Sequence, residues 1–320
     1  MLQQSILRRE FYSNCWFICS SIRYSPTQST MRQKPFGARF RVMTEQDLAS
    51  AVRLNTLAGW NQTTADWRRF LENSPAGCFV TEVDSQVVGT ATTICYENRF
   101  SWIGMVLVDP EFRNRGIGTQ MLQKAIEHLD RIIPAMKLDA TPLGKPIYLR
   151  LGFVPEYEIE RWILNRPTVA SSSEPAKSCA SPDETQMAKI CELDRESFGA
   201  DRSFLLRSLH EHSPELTSIT CKDGVPIGYA LGRKGMFADH LGPWFAKSHE
   251  AAQELLRSFL RQSSRESVIV DCLSSNSSIR DLLRVAGFAY SRPLTRMVRG
   301  QNLHPGRLES ICAILGPEFG

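Results

Sequence analysis

Long apolar runs are missing from this chain of 320 residues. None approaches the ~20 residues of a membrane-crossing helix, so no membrane partner is expected. Metal-site patterns are missing too. The nine cysteines are scattered, with no Cys-x-x-Cys pair and no Cys/His spacing of the zinc type. They read as reduced thiols of an intracellular protein, with no metal. Strong charge of either sign is also lacking, since 38 Lys and Arg against 34 Asp and Glu leave a net +4. No Lys/Arg cluster is interleaved with aromatics, so nothing points to nucleic acid. What remains, 42% hydrophobic and 22% charged residues, is the composition of a globular chain long enough for two domains.

Acidic residues are scarce in residues 1–38, where Arg8, Arg9, Arg23, Arg32 and Lys34 face Glu10 alone among many serines. This composition resembles a mitochondrial transit peptide. The other reading is a start of translation at Met31 behind a disordered or misassigned extension. The cytoplasm is the expected compartment, or the mitochondrion if residues 1–38 are a genuine presequence.

The most informative stretch begins with the apolar run Met105-Val106-Leu107-Val108, which stops at Asp109-Pro110. A basic loop with Arg113, Arg115, Gly116 and Gly118 follows, then a helix with Met121, Leu122, Ala125, Ile126 and Leu129 on one face. A strand feeding a glycine turn into a helix mouth makes an anion site, because the first-turn amides are unpaired and the helix dipole is positive there. A Walker loop is excluded, since no Gly-Lys-Ser/Thr ending is present. A Rossmann fingerprint is excluded as well, since Met121 stands where its third glycine belongs.

Arg113-x-x-Gly116-x-Gly118 resembles the pyrophosphate loop of the GNAT N-acetyltransferases. Further along, Tyr148-Leu149-Arg150-Leu151-Gly152-Phe153 is similar to that family's Tyr-x-x-x-Gly-Phe closure. The expected element order over residues 39–165, β-α-α-β-β-β-α-β-α-β, is also the family's order. The resemblance implies an α/β (α+β) fold with a mixed, mostly antiparallel sheet flanked by helices. It implies acetyl-CoA as co-substrate and an amine, most simply a small molecule, as acceptor.

The resemblance also implies roles for particular residues. The main chain of Met105, Val106, Leu107 and Val108 would hold the pantetheine arm, with the Val108 or Leu107 amide polarising the thioester carbonyl. The amides of Arg113, Asn114, Arg115, Gly116, Ile117, Gly118 and Thr119 would hold the pyrophosphate. Tyr148 stands where the family places the acid that protonates the departing thiolate; the alternative is a ring packed between helix and sheet. Thr141 stands where the family often has Asn, and still offers a hydrogen bond to the cofactor. Glu97 and Asp139, the latter ending the strand opposite the acceptor side, are the carboxylates considered for a general base, and each also reads as a solvated or structural carboxylate. Trp60, Asn61, Gln62 and Trp67 occupy the segment that usually sets acceptor choice; two tryptophans beside amides would either clamp a flat or apolar amine or leave Trp67 packed on the core with Trp60 as its lid.

Residues 166–182 are rich in Pro, Ser and Ala and read as a linker. Residues 183–300 then repeat the first half: Val225-Pro226-Ile227-Gly228 follows Gln86-Val87-Val88-Gly89, and His240-Leu241-Gly242-Pro243 follows Trp102-Ile103-Gly104-Met105. Leu283-Arg284-Val285-Ala286-Gly287-Phe288 repeats the closure one residue longer. The phosphate loop is not repeated. Ala246-Lys247-Ser248-His249-Glu250-Ala251 has no glycine and adds a carboxylate, so this second GNAT-like domain is expected to be degenerate and not to bind acetyl-CoA in the standard way. Asp201, Arg202, Trp244 and Asp271 are its candidates for lining an acceptor pocket, although Asp201 and Arg202 also suit a helix start. Residues 301–320 read as a tail.

Overall fold

Helices in this protein begin where side chains can cap them. The computed structural model describes residues 37–133, 135–165 and 179–320. The expected presequence and most of the linker lie outside them. Thr44 and Asp47 form a capping box ahead of α1 (Leu48–Ala58), Thr63 and Asp66 another ahead of α2 (Thr64–Asn73), and Asp183 and Gln186 a third ahead of α5 (Glu184–Phe198). Gly59 and Gly199 end α1 and α5 in the left-handed conformation that glycine adopts without strain.

The first half contributes β1 (Arg39–Val42), β2 (Cys78–Val83), β3 (Gln86–Tyr96), β4 (Phe100–Val108), α3 (Ile117–Asp130), β5 (Met136–Ala140), α4 (Lys145–Arg150) and β6 (Val154–Asn165). After the short β7 (Cys179–Ala180) and α5 come α6 (Ser203–His212), β8 (Ser218–Lys222), β9 (Val225–Lys234), β10 (Asp239–Ala246) and α7 (His249–Gln262). β11 (Ser267–Leu273), α8 (Ser277–Val285), β12 (Ala289–Arg299) and β13 (Ile311–Ala313) complete the second half. Among the described residues no helix is long and apolar enough to cross a membrane.

The two halves do not close on themselves. One continuous sheet runs β1-β2-β3-β4-β5-β12-β6-β11-β10-β9-β8-β7, with β13 added to β10. β12 belongs to the second half by sequence but pairs with β5 of the first, Met297 opposite Leu138. β6 belongs to the first half but pairs with β11 of the second, Trp162 opposite Val270. The two exchanged strands also pair with each other, Leu294 opposite Ile159. Most pairing is antiparallel; β4 with β5 and β10 with β11 are parallel.

Each half's core therefore contains a strand of the other half. Met297 is packed with Ile103, Leu122, Ile126 and Leu138 under α3. Trp162 is packed with Val268, Leu255 and Phe288 under α7. A third cluster joins α1 and α2 (Leu54, Trp67, Phe70) to α5 and α6 (Ile190, Leu205, Leu209) on the opposite face, with Leu315 and Phe319 among them. The expected tail is part of the fold.

Met297→Ala tests the exchange. The side chain is fully buried, so its loss should cost about 2–5 kcal/mol of stability. Hydrogen exchange should loosen β5 and α3, in the other half of the sequence, at least as much as β11.

Candidate active site

The β4–α3 corner leaves a run of amides without partners. Gly116 takes the left-handed conformation as the N-cap of α3, and Asn114 is left-handed two residues earlier. Arg113 N–H reaches Pro110 O at 3.4 Å and Gln120 N–H closes on Gly116 O. The amides of residues 114–119 between them have no acceptor among the described residues. Residues 113–116 are exposed. The arginine side chains turn back onto the loop: Arg113 Nε donates to Val108 O, and Arg115 donates to Glu111 O while stacking on Phe112. Gly118 lies close under the strand, where an added Cβ would stand 3.4 Å from Val108 Cγ2. A run of unpaired amides at a helix N-terminus, beside Arg113 and Arg115, is an electropositive corner that favours an anion.

A cleft leads away from it. β4 and β5 pair only at Ser101–Met136 and Trp102–Lys137, then separate. A bulge against β3 falls at Met105, whose backbone is left-handed and whose carbonyl accepts from the buried Thr90 hydroxyl. Asp109 N–H donates to Val88 O on the β3 side. Alternation along the strand then turns the amides of Val108 and Val106 the other way, toward the cleft. The Leu107 amide, the other expected donor, points at β3.

Tyr148 stands on α4, just beyond the end of β5. Its ring lies against Gly144, where a Cβ would come within 2.8 Å of a ring carbon, and edge-on to Phe153. Its hydroxyl bonds to nothing among the described residues, and burial pushes the phenol up to about 12, so the proton is retained. Thr141 receives the Gly144 amide on its hydroxyl oxygen at 3.2 Å, a turn-closing contact beside the same cleft.

The same cleft in the second half is filled. β10 and β11 separate after Leu241–Val270. There β13 pairs with β10 through Trp244–Ala313 and Phe245–Ile311, and Ile314 N–H donates to Asp271 O. The chain's own backbone lies where the first half keeps free edges. Ser248 caps α7 through the Ala251 amide, so that helix mouth is also occupied.

The structure corrects several expectations. Glu97 is not placed as a base: it sits at the β3–β4 turn, receives Arg195 and the Asp201 amide, and the Arg195 hydrogen bond holds its carboxyl below the usual range. The Asp139 side chain is fully buried in a bidentate pair with Arg296 at 2.8 Å, so both carboxylate oxygens are taken up by the guanidinium. Asn61 is consumed by main chain of the second half: its Nδ2 donates to Ala238 O, and its Oδ1 receives the Phe237 and Ala238 amides. Trp67 is a core residue with no exposure, and Trp60 is half-buried against the same cluster, so no tryptophan clamp forms. Asp201 caps α6 through the Ser203 amide, and Trp244 is covered by β13. Asp271 is paired with Arg161 at 2.7 Å. Arg202, paired with Asp194, and Trp244 do border a cavity of about 20 Å³ shared with Lys137, Tyr157, Tyr229 and Arg296, room for about one water.

Residues 314–320 escaped the sequence reading. They carry main chain onto both halves at one repeated position. A Cβ on Gly104 would meet Glu318 O at 2.5 Å, and a Cβ on the equivalent Gly242 would meet Ile314 O at 2.0 Å. The repeated glycine was the available signal.

Two stretches of the chain, residues 74–155 and 190–313, match family models described as acetyltransferase (GNAT) domains. The chain belongs to the GNAT acetyltransferases, carries the fold twice in tandem, and is an acyltransferase. It is 25% identical to the uncharacterised N-acetyltransferase YitH of Bacillus subtilis, over 76% of this chain and 85% of that protein. It is 24% identical to the holothin acyltransferase of a Pseudoalteromonas species, over 82% of this chain and 87% of that protein. A solved structure from Pyrococcus horikoshii has the same fold with a TM-score of 0.76 at 20% identity, covering 92% of this chain and 99% of that one.

Asn61→Ala should behave as a structural change. Three hydrogen bonds to the second half are lost, for a cost of about 2–3 kcal/mol in urea unfolding. The KM for any acceptor should stay within about twofold.

Proposed function

We propose that the first half transfers an acetyl group from acetyl-CoA to a primary amine by direct attack in a ternary complex. One observation carries the reading: the unpaired amides of residues 114–119 open at the head of a cleft whose counterpart in the second half is filled. Acetyl-CoA supplies an activated acyl group on a diphosphate handle, and a cradle of amides with no Cβ at Gly116 and Gly118 suits that handle. The amides of Val106 and Val108 lie along the pantetheine arm, and Val108 is our choice of donor to the thioester oxygen. The neutral amine nitrogen forms its bond to the carbonyl carbon, the C–S bond breaks, the Tyr148 phenol gives its proton to the sulfur, and the proton shed by the nitrogen passes to water, from which the Tyr148 phenolate is reprotonated. The Pseudoalteromonas relative, named a holothin acyltransferase and matched over 87% of its length, supports acyl transfer as the reaction.

Gly118→Glu sets a carboxylate against the pyrophosphate and should lower CoA affinity by about a hundredfold or more in calorimetric titration. Wild-type protein should bind one CoA per chain; two would contradict the filled second cleft. Tyr148→Phe should lower kcat by about tenfold to a hundredfold while the KM for acetyl-CoA stays within about twofold. Equal turnover would remove the acid from Tyr148.

A further inference from the structure

Residues 314–320 run along the face of β4 opposite α3. Alternation puts Trp102 and Gly104 on that face, while Ile103 faces α3. β4 is one side of the cleft, so what covers β4 on this face borders any amine that attacks from the side opposite α3.

The segment is held along its whole length. Arg233 donates to Leu315 O at 2.7 Å and forms an ion pair with the Glu318 carboxylate. Gln62 Nε2 donates to the same carboxylate at 2.9 Å. Trp102 Nε1 donates to Pro317 O at 3.1 Å, and the Tyr96 hydroxyl donates to Phe319 O at 2.8 Å. The Phe319 and Gly320 amides close on Gly316 O, and Arg202 and the Leu315 amide reach Gly320 O. Phe319 has no exposure and stacks on Phe70 with ring centres 4.6 Å apart.

One carbonyl from Leu315 to Gly320 is left over. Glu318 O receives no hydrogen bond among the described residues. Its residue is 2% exposed, and that oxygen is the one pressed toward Gly104, next to the bulge at Met105. Buried main-chain carbonyls are nearly always partnered. An unpaired one at the acceptor side of an acyl-transfer cleft is matched to a ligand N–H.

We propose that residues 314–320 form the acceptor-side wall of the first cleft, that Glu318 O receives an N–H of the attacking amine, and that the wall restricts acceptors to small free amines. This rests on the acyl-transfer reading above. A hydrogen bond from the amine to Glu318 O aims the nitrogen lone pair without removing a proton, so the residue is a positioning one. A polypeptide acceptor would need the wall displaced, and the buried Phe319 and the Glu318–Arg233 pair oppose that.

The test uses the full chain with acetyl-CoA and follows thiol release. Small primary amines of varied shape are compared with tetrapeptides bearing a free N-terminus. The best small amine should exceed every peptide by about tenfold or more in kcat/KM. Peptides within that margin overturn the wall. No thiol release with any acceptor overturns the acyl-transfer reading itself. In Gly104→Ala the new methyl must push Glu318 O aside, so the KM for the best amine should rise about tenfold while the acetyl-CoA Kd stays within about twofold. An unchanged amine KM, or an acetyl-CoA Kd that rises in step with it, refutes the role of Glu318 O. If Gly104→Ala does not fold, the acceptor comparison in the wild type decides alone.

Discussion

The pairing of β6 and β12 with the opposite halves is the constraint on which the rest depends. A parallel pair that stops after two rungs exposes strand edges on both sides of the gap, and such edges must be satisfied or used. Here β5 is secured on its far edge by β12, so β4 and β5 can part without β5 coming loose. The cleft is kept open by a strand from elsewhere in the chain. The same logic secures β11 through β6, and there the gap is closed by β13.

Charge is handled at this junction by pairing rather than by exposure. Asp139 with Arg296, Asp271 with Arg161, and Asp194 with Arg202 are all buried and within 3 Å. Burial pushes the Asp271 carboxyl up, but the Arg161 guanidinium more than reverses this and holds it far below the usual carboxylate range. Buried pairs of this kind contribute modestly to stability, yet removing one partner is costly because the other is stranded. They fix which strand lies beside which, since Arg296 and Asp139, and Arg161 and Asp271, each tie an exchanged strand to its host.

Much of this was legible in the sequence, and the failures share a cause. The cradle at residues 113–119 is local: glycines, a strand end and a helix start lie within a few residues of one another, so spacing suffices. The repeat was legible because each half keeps its alternating strands. The side-chain readings at Asn61, Asp139 and Glu97 failed because their partners lie 98 to 177 positions away, at Arg195, Arg296 and Ala238. A carboxylate in a strand looks the same in sequence whether it meets water or an arginine from the other half. Residues 301–320 looked like a tail because they lack periodicity, and their bonds are made by single carbonyls and glycine contacts that leave no pattern.

Strand exchange also orders events during synthesis. When the ribosome has released residues 37–165, the strands β4 and β5 and the helices α3 and α4 around the cleft have been made, yet β5 still lacks its outer neighbour. That neighbour, Ala289–Arg299, emerges more than a hundred residues later. Until then the nascent first half displays the bare edge of β5 and the long strand β6 without the partners they take in the finished sheet, which is when unwanted strand pairing is most available. The first half of this fold is written first and finished last.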